Sequence, residues 1–305
     1  AADLVIAEKI KEIIGAEGDV RLYEPLAKHT TLRVGGPAQF WVEPRTEAAF
    51  AELIRMCRQE NLPLFVIGRG SNLLVQDGGI RGVVVHPSGG EFERVEVNGE
   101  EITAGVGAKL KQVAYASKSA GIGGMEWMEG IPGEVGGALR MNAGAMGTET
   151  FDNVVSVRYL DEEGVAHVKT PAELEVNYRY VPSLTKNYAV SAIFHGKPAA
   201  SDDILRRLQE SQEKRRKSQP AASSAGCIFK NPGTCPAGKL VDELGLKNSS
   251  VGSARVSEVH GNFIVNDGGA TAVEMLELIE RIKTAAREQR GIELETEVQI
   301  VGEPA

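Results

Sequence analysis

The sequence predicts an α+β fold with mixed sheets, in which short strands and a few longer helices follow one another without a regular repeat. Short apolar runs alternate with glycine turns between residues 62 and 105, and Asn98-Gly99 separates two alternating runs, which is a strong hairpin signal. The 305 residues include 35 glycines, where the average usage of about 7% would give about 21. Their clustering indicates tight turns and places where the backbone approaches a ligand closely.

The elements of the N-terminal part follow from local patterns. Residues 46–60 have helical spacing, which brings Phe50, Leu53, Ile54 and Cys57 to one face. The other elements expected up to residue 200 are an amphipathic helix at 1–15, a strand at 62–68 followed by strands in RGSNLLV and DGGIRGVVVH, a helix at 109–120 ended by Gly121, a hairpin of strands 154–160 and 165–169, and a strand at 188–196.

The C-terminal part begins after a polar helix predicted at residues 201–217. Its acidic start and basic end suit the helix dipole, and we expect the boundary between the two parts of the chain there. A strand in NFIVN, a long helix at 271–289 and a last strand in ETEVQIVG follow. In that last strand, Glu295 and Glu297 are expected to share one face.

Composition excludes several classes of protein. The net charge of −8 argues against a general nucleic-acid binder, and no apolar run approaches the roughly 18 to 20 residues of a membrane span. The N-terminus lacks the basic start and apolar middle of a signal peptide. Cys57, Cys227 and Cys235 are odd in number and match no zinc spacing. We therefore expect a cytoplasmic protein without a metal site or membrane insertion.

Two glycine-rich segments are candidates for binding a phosphate or a flat ring. In GRGSN, at residues 68–72, successive backbone N–H groups can form an anion nest to which Ser71 and Asn72 add donors. The segment lacks the Gly-Lys-Ser/Thr of a Walker A loop, and no helix follows it. GIPGEVGGALRMNAG, at 130–144, predicts a turn and a short helix whose small residues let a ligand approach. The alternative for GRGSN is an ordinary tight turn that binds no ligand. The alternative for residues 130–144 is a glycine-rich crossover that binds no ligand.

The remaining candidates are single polar residues. Arg179 in YRY can bind a carboxylate with both arms of its guanidinium, or can form a surface ion pair. Cys227 in SSAGCIFKNP is a buried filler, a disulfide partner, a metal ligand or an acid. Five histidines are scattered singly (His29, His86, His167, His195 and His260), so a hydrolytic triad is poorly supported and each is expected to be a surface or structural residue. The alternative for His260, in a polar loop before an apolar strand, is that it lines a site.

Taken in order, several segments resemble the UDP-N-acetylenolpyruvoylglucosamine reductase family over nearly the whole chain, from HTTLRVGGPA at residues 29–38 to EVQIVGE. The most specific segments are VIGRGSNLLVQDGGIRGVVV, GIPGEVGGALRMNAGA, NYRY, SAGCIFKNP and VHGNFIVNDGGATA. Their order and spacing are more specific than any one segment. Because no long insertion follows YRY, the chain is similar to the shorter, type II form.

The resemblance implies a three-part fold that binds FAD. Two FAD-binding subdomains, at residues 1–87 and 88–200, would precede a substrate-binding α+β domain at 201–305. The family's cofactor-binding positions fall on Arg33, Gly35, Gly68, Arg69, Gly70, Ser71, Asn72, Gly133, Gly136, Gly137, Asn142, Ala143 and Gly144. The anion-nest interpretation of GRGSN agrees with this placement.

The resemblance also implies a reaction in two halves. NADPH reduces FAD, and flavin N5 then delivers hydride to C3 of UDP-N-acetylglucosamine enolpyruvate, while an enzyme acid protonates C2 to give UDP-N-acetylmuramate for peptidoglycan synthesis. Arg179 would stabilise the charge that develops on the substrate carboxylate. Glu297 would position the oxygens of that carboxylate or share a proton with them. We therefore expect a raised pKa of Glu297 in the complex. Cys227 would be the proton donor.

This chain departs from the family pattern at the proton donor, which is usually a serine in AGS and here is Cys227 in AGC. An unperturbed thiol has a pKa of about 8.5 and is a far stronger acid than a hydroxyl, so proton donation is reasonable. Val181-Pro182 and Arg140 also differ from the usual residues. The expected substrate contacts are Tyr178, Lys230, Asn231 and Lys239. We expect a monomer.

Two other functions compete with this interpretation. One is a different FAD oxidoreductase of the same superfamily, such as an oxidase of a small alcohol, which often tethers its flavin through histidine; no clear motif for that is present. Flavin that is released by acid precipitation would argue against such a tether. The other is a nucleotide-binding module without activity, which would not require Arg179, Cys227 and Glu297 together.

Overall fold

A computed structural model describes residues 2–218 and 223–305 of the chain. Its residues divide into two compact units that interleave along the sequence. Unit 1 consists of Ala1–Leu22, Phe40–Gly68 and Gly82–Arg215, and unit 2 consists of Tyr23–Gln39, Arg69–Arg81 and Arg216–Ala305. The last boundary lies inside the polar helix.

Ten α-helices lie in the described residues: α1 Ala2–Ile14, α2 Glu47–Gln59, α3 Leu110–Ser119, α4 Val135–Met141, α5 Thr150–Asn153, α6 Pro171–Leu174, α7 Pro182–Lys186, α8 Ser201–Ser218, α9 Ala237–Glu243 and α10 Ala272–Arg290. Three 3₁₀ turns accompany them: Leu26–His29, Gly90–Glu93 and Glu126–Gly130.

The same ranges, 2–218 and 223–305, contain nineteen strands: β1 Asp19–Pro25, β2 Pro37–Glu43, β3 Leu64–Val66, β4 Leu73–Val75, β5 Ile80–Val85, β6 Val95–Asn98, β7 Glu101–Gly105, β8 Ile122–Gly123, β9 Gly144–Ala145, β10 Thr148–Glu149, β11 Val154–Leu160, β12 Ala166–Lys169, β13 Tyr188–His195, β14 Lys197–Pro198, β15 Ser223–Ser224, β16 Ser250–Val251, β17 Ala254–Val256, β18 Ile264–Asn266 and β19 Gln299–Val301.

Unit 1 is organised around two sheets. One has the order β1-β2-β5-β3, with β3 parallel to β5. The other is an antiparallel sheet of order β12-β11-β13-β7-β6. Buried side chains of these sheets and of helices α1 to α4 form one core, which includes Phe40, Phe50, Phe92, Trp127 and Phe194. This core supports the second glycine-rich segment.

Unit 2 has a separate core around a smaller antiparallel sheet of order β15-β18-β17-β16. Helix α10 contributes Met275, Leu278, Ile279 and Ile282 to that core. Strand β19 pairs in parallel with β4, so the end of the chain lies beside the strand that follows GRGSN. Parallel and antiparallel pairs together confirm the predicted mixed sheets.

The longer helices have the ends that their sequences specify. The Thr46 side chain accepts a hydrogen bond from Ala49 N and caps α2, whose buried face includes the predicted Phe50, Leu53 and Ile54. A capping box between Thr271 and Glu274 begins α10. Gly291 ends α10 in the left-handed conformation. These local signals explain why the helices were predicted within one or two residues of their observed bounds.

The hairpin predicted around Asn98-Gly99 is confirmed, but Asn98 pairs with Glu101, so Gly99 and Glu100 form its turn. The expectation for the last strand is wrong. The last strand begins only at Gln299, so Glu295 and Glu297 do not share the face of one strand. The cause is a bend, because the N–H groups of Glu297 and Val298 both point to the Ile228 carbonyl. The three-part division at residues 87 and 200 stays a prediction.

Candidate active site

The GRGSN loop leaves backbone donors available to an anion. In unit 2, the N–H groups of Arg69, Gly70 and Ser71 have no acceptor in the described part of the chain. Gly70 has a φ of 70°, and a Cβ there would overlap the His29 carbonyl oxygen. A larger residue would therefore disrupt the turn that orients these donors. Successive free N–H groups form the kind of concavity that binds phosphate.

Asn72, the last residue of this loop, is tied to the segment that carries Glu297. The Asn72 side-chain amide donates to the Glu297 carbonyl at 3.4 Å, and Gln299 N donates to the Asn72 carbonyl at 3.0 Å. Earlier in unit 2, Arg33 is exposed with a φ of 58°, and Asn266 donates to its carbonyl at 3.3 Å. Gly35 follows two residues later and lies against Val75.

Unit 1 contains a small open pocket, with a cavity volume of about 60 Å³. Val66, Ile67, Val106 and Leu184 give it an apolar wall, to which Tyr188 adds an aromatic ring. The remaining lining residues are Gly68, Pro87, Glu134, Gly136, Gly137, Arg140 and Ala189. A mostly apolar wall with a few polar groups is typical of a cofactor site.

Helix α4 presents one free donor on the pocket. Of its first three N–H groups, that of Val135 donates to the Ala108 carbonyl and that of Gly136 to the Val106 carbonyl. The Gly137 N–H has no acceptor within the described residues, and a Cβ at Gly137 would meet no protein atom within 4 Å. Space and an unpaired donor therefore coincide at Gly137, which fits the close approach of a ligand.

This geometry predicts the behaviour of a variant, Gly137→Leu. The new side chain meets no protein atom and replaces a helical glycine, so the free energy of unfolding should not fall. It should fill part of the pocket and weaken FAD binding by at least about tenfold, since overpacked contacts of this kind cost 1 to 3 kcal/mol. The measurement is the ratio of flavin to protein absorbance after gel filtration. Gly233→Leu, at another open glycine, is the matched control.

A row of three charged side chains lies behind the pocket. Glu43 Oε2 is 3.2 Å from His86 Nδ1, and Glu134 Oε1 is 3.5 Å from His86 Nε2. Burial alone would lower the pKa of His86, but hydrogen bonding and charge from the two carboxylates outweigh it and raise that pKa to about 9. The hydrogen bond from His86 holds the pKa of Glu43 at about 2, against the effect of burial. His86 is thus an imidazolium at neutral pH.

Arg140 is the other charged residue of the pocket. Burial lowers the pKa of its guanidinium, although an arginine remains protonated at neutral pH. No side chain among residues 2–218 and 223–305 forms an ion pair or a hydrogen bond with it. A half-buried guanidinium without an acceptor is a site for an anionic group.

Arg179 is attached to the end of the second glycine-rich segment. Its guanidinium donates to the Asn142 carbonyl at 3.0 Å and lies 4.9 Å from the centre of the Tyr178 ring. Arg179 and Asn142 both have left-handed backbones, with φ of 54° and 45°. Such strain in non-glycine residues concentrates at functional sites. Tyr178 itself is exposed.

Asn142, expected to bind the cofactor, serves an internal role. Its buried side chain donates to Glu149 Oε2 at 2.9 Å and accepts from Phe151 N at 3.1 Å. The other predicted cofactor residues of this segment are bonded through their backbones: the Gly133 carbonyl accepts from Leu110 N, and the Ala143 carbonyl from Thr150. Gly144 opens β9 beside Arg179. Asn142 therefore fixes the end of this segment through its side chain.

In unit 2, Cys227 and Glu297 lie on neighbouring segments. Glu297 N donates to the Ile228 carbonyl at 2.7 Å, and Phe229 forms an isolated antiparallel bridge with Thr296. Cys227, the residue before Ile228, and Glu297 are both half-buried. Cys57 differs, because it is buried in the core of unit 1 and burial raises its thiol pKa to about 12. Cys227 and Cys235 are therefore the more accessible thiols, and the segment of Cys227 adjoins that of Glu297.

The segment that carries Cys227 is held by Asn262, which the sequence analysis did not identify. Asn262 Oδ1 accepts from Phe229 N at 2.9 Å and its amide donates to the Phe229 carbonyl at 2.8 Å. The Asn262 carbonyl also accepts from Ile228 N at 2.9 Å. The side chain is 3% exposed. The only sequence signal was a polar residue between a loop and the apolar strand β18.

Asn262→Ala is expected to lower the free energy of unfolding by about 2 to 4 kcal/mol, because it leaves a buried N–H and a buried carbonyl of Phe229 without partners. The midpoint of urea unfolding would show the loss. Asn248→Gly removes an exposed asparagine side chain of the same unit at a φ of 66°, which glycine adopts without strain, and should change the midpoint far less. Equal shifts for the two variants would contradict a stabilising role of the Asn262 hydrogen bonds to Phe229.

Of the predicted substrate contacts in unit 2, Lys230 and Asn231 lie on an exposed loop before α9 and Lys239 lies on the exposed side of α9. Asn231 Oδ1 accepts from Ala237 N at 2.9 Å, which leaves its amide group available. Lys230 Nζ is 3.8 Å from Glu295, and Lys239 Nζ is 4.0 Å from Glu243. Exposed ion pairs of this length are weak, so both lysines can exchange a glutamate for a ligand phosphate.

The described ranges also lack two other kinds of feature. No group of three or more His, Cys, Asp or Glu side chains within them could hold a metal ion. None of the helices in those ranges has the length and apolarity to cross a membrane.

Fold and site together define a flavoenzyme. A family model described as FAD binding domain matches residues 38–169. In unit 1, the free Gly137 N–H and the unpaired Arg140 are groups that a flavin dinucleotide can use. The chain is an FAD-dependent oxidoreductase.

Comparison with known proteins identifies the family. A model described as UDP-N-acetylenolpyruvoylglucosamine reductase, C-terminal domain, matches residues 219–301. The UDP-N-acetylenolpyruvoylglucosamine reductases of Bacillus velezensis and Bacillus subtilis are 41% and 40% identical over 288 residues, which cover 93% of this chain and 95% of each relative. The crystal structure of the Thermus caldophilus enzyme of that name covers 93% of this chain and 99% of its own, with 37% identity and a TM-score of 0.81. The chain belongs to the UDP-N-acetylenolpyruvoylglucosamine reductase family.

These findings confirm three expectations from the sequence: the family, the α+β class with an FAD-binding part and a C-terminal domain, and FAD as the cofactor. The roles of individual residues stay predictions.

Proposed function

We propose that this protein reduces UDP-N-acetylglucosamine enolpyruvate to UDP-N-acetylmuramate with NADPH, in the cytoplasm and as a monomer. The observation that carries the proposal is the placement of Cys227, an accessible thiol, beside the segment of Glu297 in the C-terminal unit. A thiol can deliver a proton to a substrate carbon, a capacity that nucleotide binding alone does not require.

FAD, when bound, supplies two-electron reduction: it accepts hydride from NADPH and donates it from N5 to C3 of the enolpyruvyl group. The protein must then complete the reaction at C2, where a proton is needed, and at the carboxylate, where negative charge develops.

Cys227 is the proposed proton donor to C2. It is half-buried, and the next two residues are fixed by Glu297 N, by Asn262 and by the bridge to Thr296. A donor on a rigid segment can be held within reach of one carbon. The thiol remains mostly protonated at neutral pH when it is unperturbed, so it can donate without prior activation.

Arg179 is proposed to stabilise the carboxylate of the reacting substrate. Its bond to the Asn142 carbonyl and its contact with the Tyr178 ring fix the guanidinium in place. The planar guanidinium matches a carboxylate with two parallel hydrogen bonds. Because these donors are oriented before the reaction, they need not reorganise when the charge appears.

Glu297 is proposed to share a proton with the substrate carboxylate. An ionised glutamate beside an ionised carboxylate would repel it, so substrate binding should raise the pKa of Glu297. The diphosphate of the substrate is proposed to contact Lys230, Lys239 and the free amide of Asn231, whose oxygen is fixed by Ala237 N. Tyr178 would add an exposed ring.

The proposal is tested by purifying the protein and following NADPH absorbance. A yellow flavin spectrum is expected, together with NADPH oxidation that depends on UDP-N-acetylglucosamine enolpyruvate and releases UDP-N-acetylmuramate. UDP-N-acetylglucosamine, which lacks the enol ether, is the control and should not be consumed. A flavin-containing protein that oxidises NADPH equally with and without the substrate would overturn the proposal.

A further inference from the structure

The pocket of unit 1 holds two opposite charges, and neither is neutralised by the other. Arg140 has no acceptor in the described residues, and the described partner of the Glu134 carboxylate is His86 at 3.5 Å. Glu134 Oε1 also lies 3.2 Å from the position that a Cβ at Gly68 would occupy. The carboxylate therefore lies against the residue at which GRGSN begins.

A nucleoside phosphate offers groups of matching polarity. Its phosphate carries negative charge for a guanidinium, and its sugar hydroxyls and base amino group are donors for a carboxylate. A carboxylate accepts hydrogen bonds and repels phosphate, so Glu134 can face only the donors. The pocket walls beside these charges are apolar, as a base requires.

We propose that Arg140 and Glu134 bind the nucleoside-phosphate part of FAD, through a phosphate oxygen and through hydroxyl or amino donors respectively, and that His86 is the positioning residue that keeps Glu134 in place. The proposal rests on FAD occupying the pocket that Gly137 lines.

His86 is suited to this role because it is fixed on every side. Trp41 lies 5.4 Å away between ring centres, and Glu43 takes the Nδ1 side. Ser88 donates to the same Glu43 oxygen at 3.2 Å, and Arg45 lies 3.7 Å from it. With Nδ1 held by Glu43, Nε2 lies on the Glu134 side of the ring, 3.5 Å from Oε1. Loss of the imidazolium proton would leave Glu134 without its paired charge, whereas Glu43 would keep Arg45.

The charge of His86 gives the proposal a pH dependence. Its pKa in the folded protein is about 9, above the ordinary 6.5, so the stabilising charge is complete below pH 6.5 and is lost as the pH rises through about 9. Neutral His86 no longer orients Glu134, and the negative charge near the phosphate is no longer balanced. FAD affinity should fall over the same range.

The test measures the dissociation constant of FAD by flavin fluorescence for the wild type, Glu134→Gln, His86→Gln and the double variant. We expect each single variant to bind about tenfold more weakly at neutral pH, and the double variant to bind no more weakly than the weaker single one, because the two residues act as a unit. The affinity of the wild type for FAD should fall between about pH 7 and about pH 10. The affinity of His86→Gln should change over this range only through the titration of the flavin itself, which affects both proteins equally.

The matched control is His167→Gln, at a histidine of the same unit that pairs with Asp161 at 2.7 Å and stacks on Tyr159. It should keep the wild-type constant and pH profile. Multiplicative effects in the double variant, or equal pH profiles for the wild type and His86→Gln, would overturn the proposal. If Gly137→Leu keeps FAD and the wild type still turns over substrate, the placement of FAD fails while the proposed reaction stands.

Discussion

Cys227→Ala is expected to reduce product formation by about 10² to 10⁴, the range attributed to general acid–base catalysis, while NADPH reduces the bound flavin at an unchanged rate. The substitution removes the proton donor and leaves the backbone bonds of Ile228 and Phe229 in place. Anaerobic stopped-flow spectroscopy separates the two half-reactions: flavin absorbance at its long-wavelength band falls with NADPH and returns with the enolpyruvyl substrate.

Cys227→Ser is the informative partner of this variant. It replaces the thiol with a hydroxyl of similar size. Serine is the residue that the family pattern has at this position, so substantial activity should remain. Cys235→Ala, at another half-buried cysteine of the same unit, is the control for the loss of a thiol as such. If Cys227→Ala turns over normally, the cysteine is a packing residue and the proposed proton donor is wrong.

Arg179→Gln is expected to lower kcat by about 10² to 10³, the cost of removing one preorganised donor to a developing charge. Flavin content should stay unchanged, since the Asn142 side chain is held by Glu149 and Phe151 independently of Arg179. Arg179→Lys should recover little, because an ammonium cannot form the two parallel bonds of a guanidinium.

Two controls accompany this prediction. Arg179→Gly removes the side chain at a residue with a φ of 54°, which glycine adopts without strain, so its low activity could not be ascribed to an unfavourable backbone. Arg158→Gln removes an exposed arginine that pairs with Glu47 at 2.6 Å, and should leave kcat unchanged. An Arg179→Gln enzyme with wild-type kcat would remove Arg179 from the mechanism.

The elements that the sequence predicted well are those determined by nearby residues. Thr46, Thr271 and Gly291 specify the ends of two helices through bonds that span three or four positions. The last strand was predicted too long because its start is determined by a distant residue. The bend at Glu297 arises from the Ile228 carbonyl, about 70 positions earlier in the chain, which no local pattern reveals.

In the candidate site, too, local features were predicted and long-range contacts were not. GRGSN and the second glycine-rich segment were recognised because glycine clusters are visible in any single sequence. Asn262 was missed, since its hydrogen bonds join residues that lie 33 positions apart. His86 was expected to be structural, and nothing in VVVH indicates that Glu43 and Glu134 face it from either side. Long-range pairing of polar side chains is therefore what the sequence alone did not supply.

The most direct measurement of the central claim is a single-turnover reaction of the purified holoenzyme without oxygen. One equivalent of NADPH should bleach the flavin, and one equivalent of UDP-N-acetylglucosamine enolpyruvate should then restore its spectrum and yield one equivalent of UDP-N-acetylmuramate. In deuterated water, the product should carry one solvent deuteron at C2. A flavin that stays reduced after addition of the substrate would contradict the account.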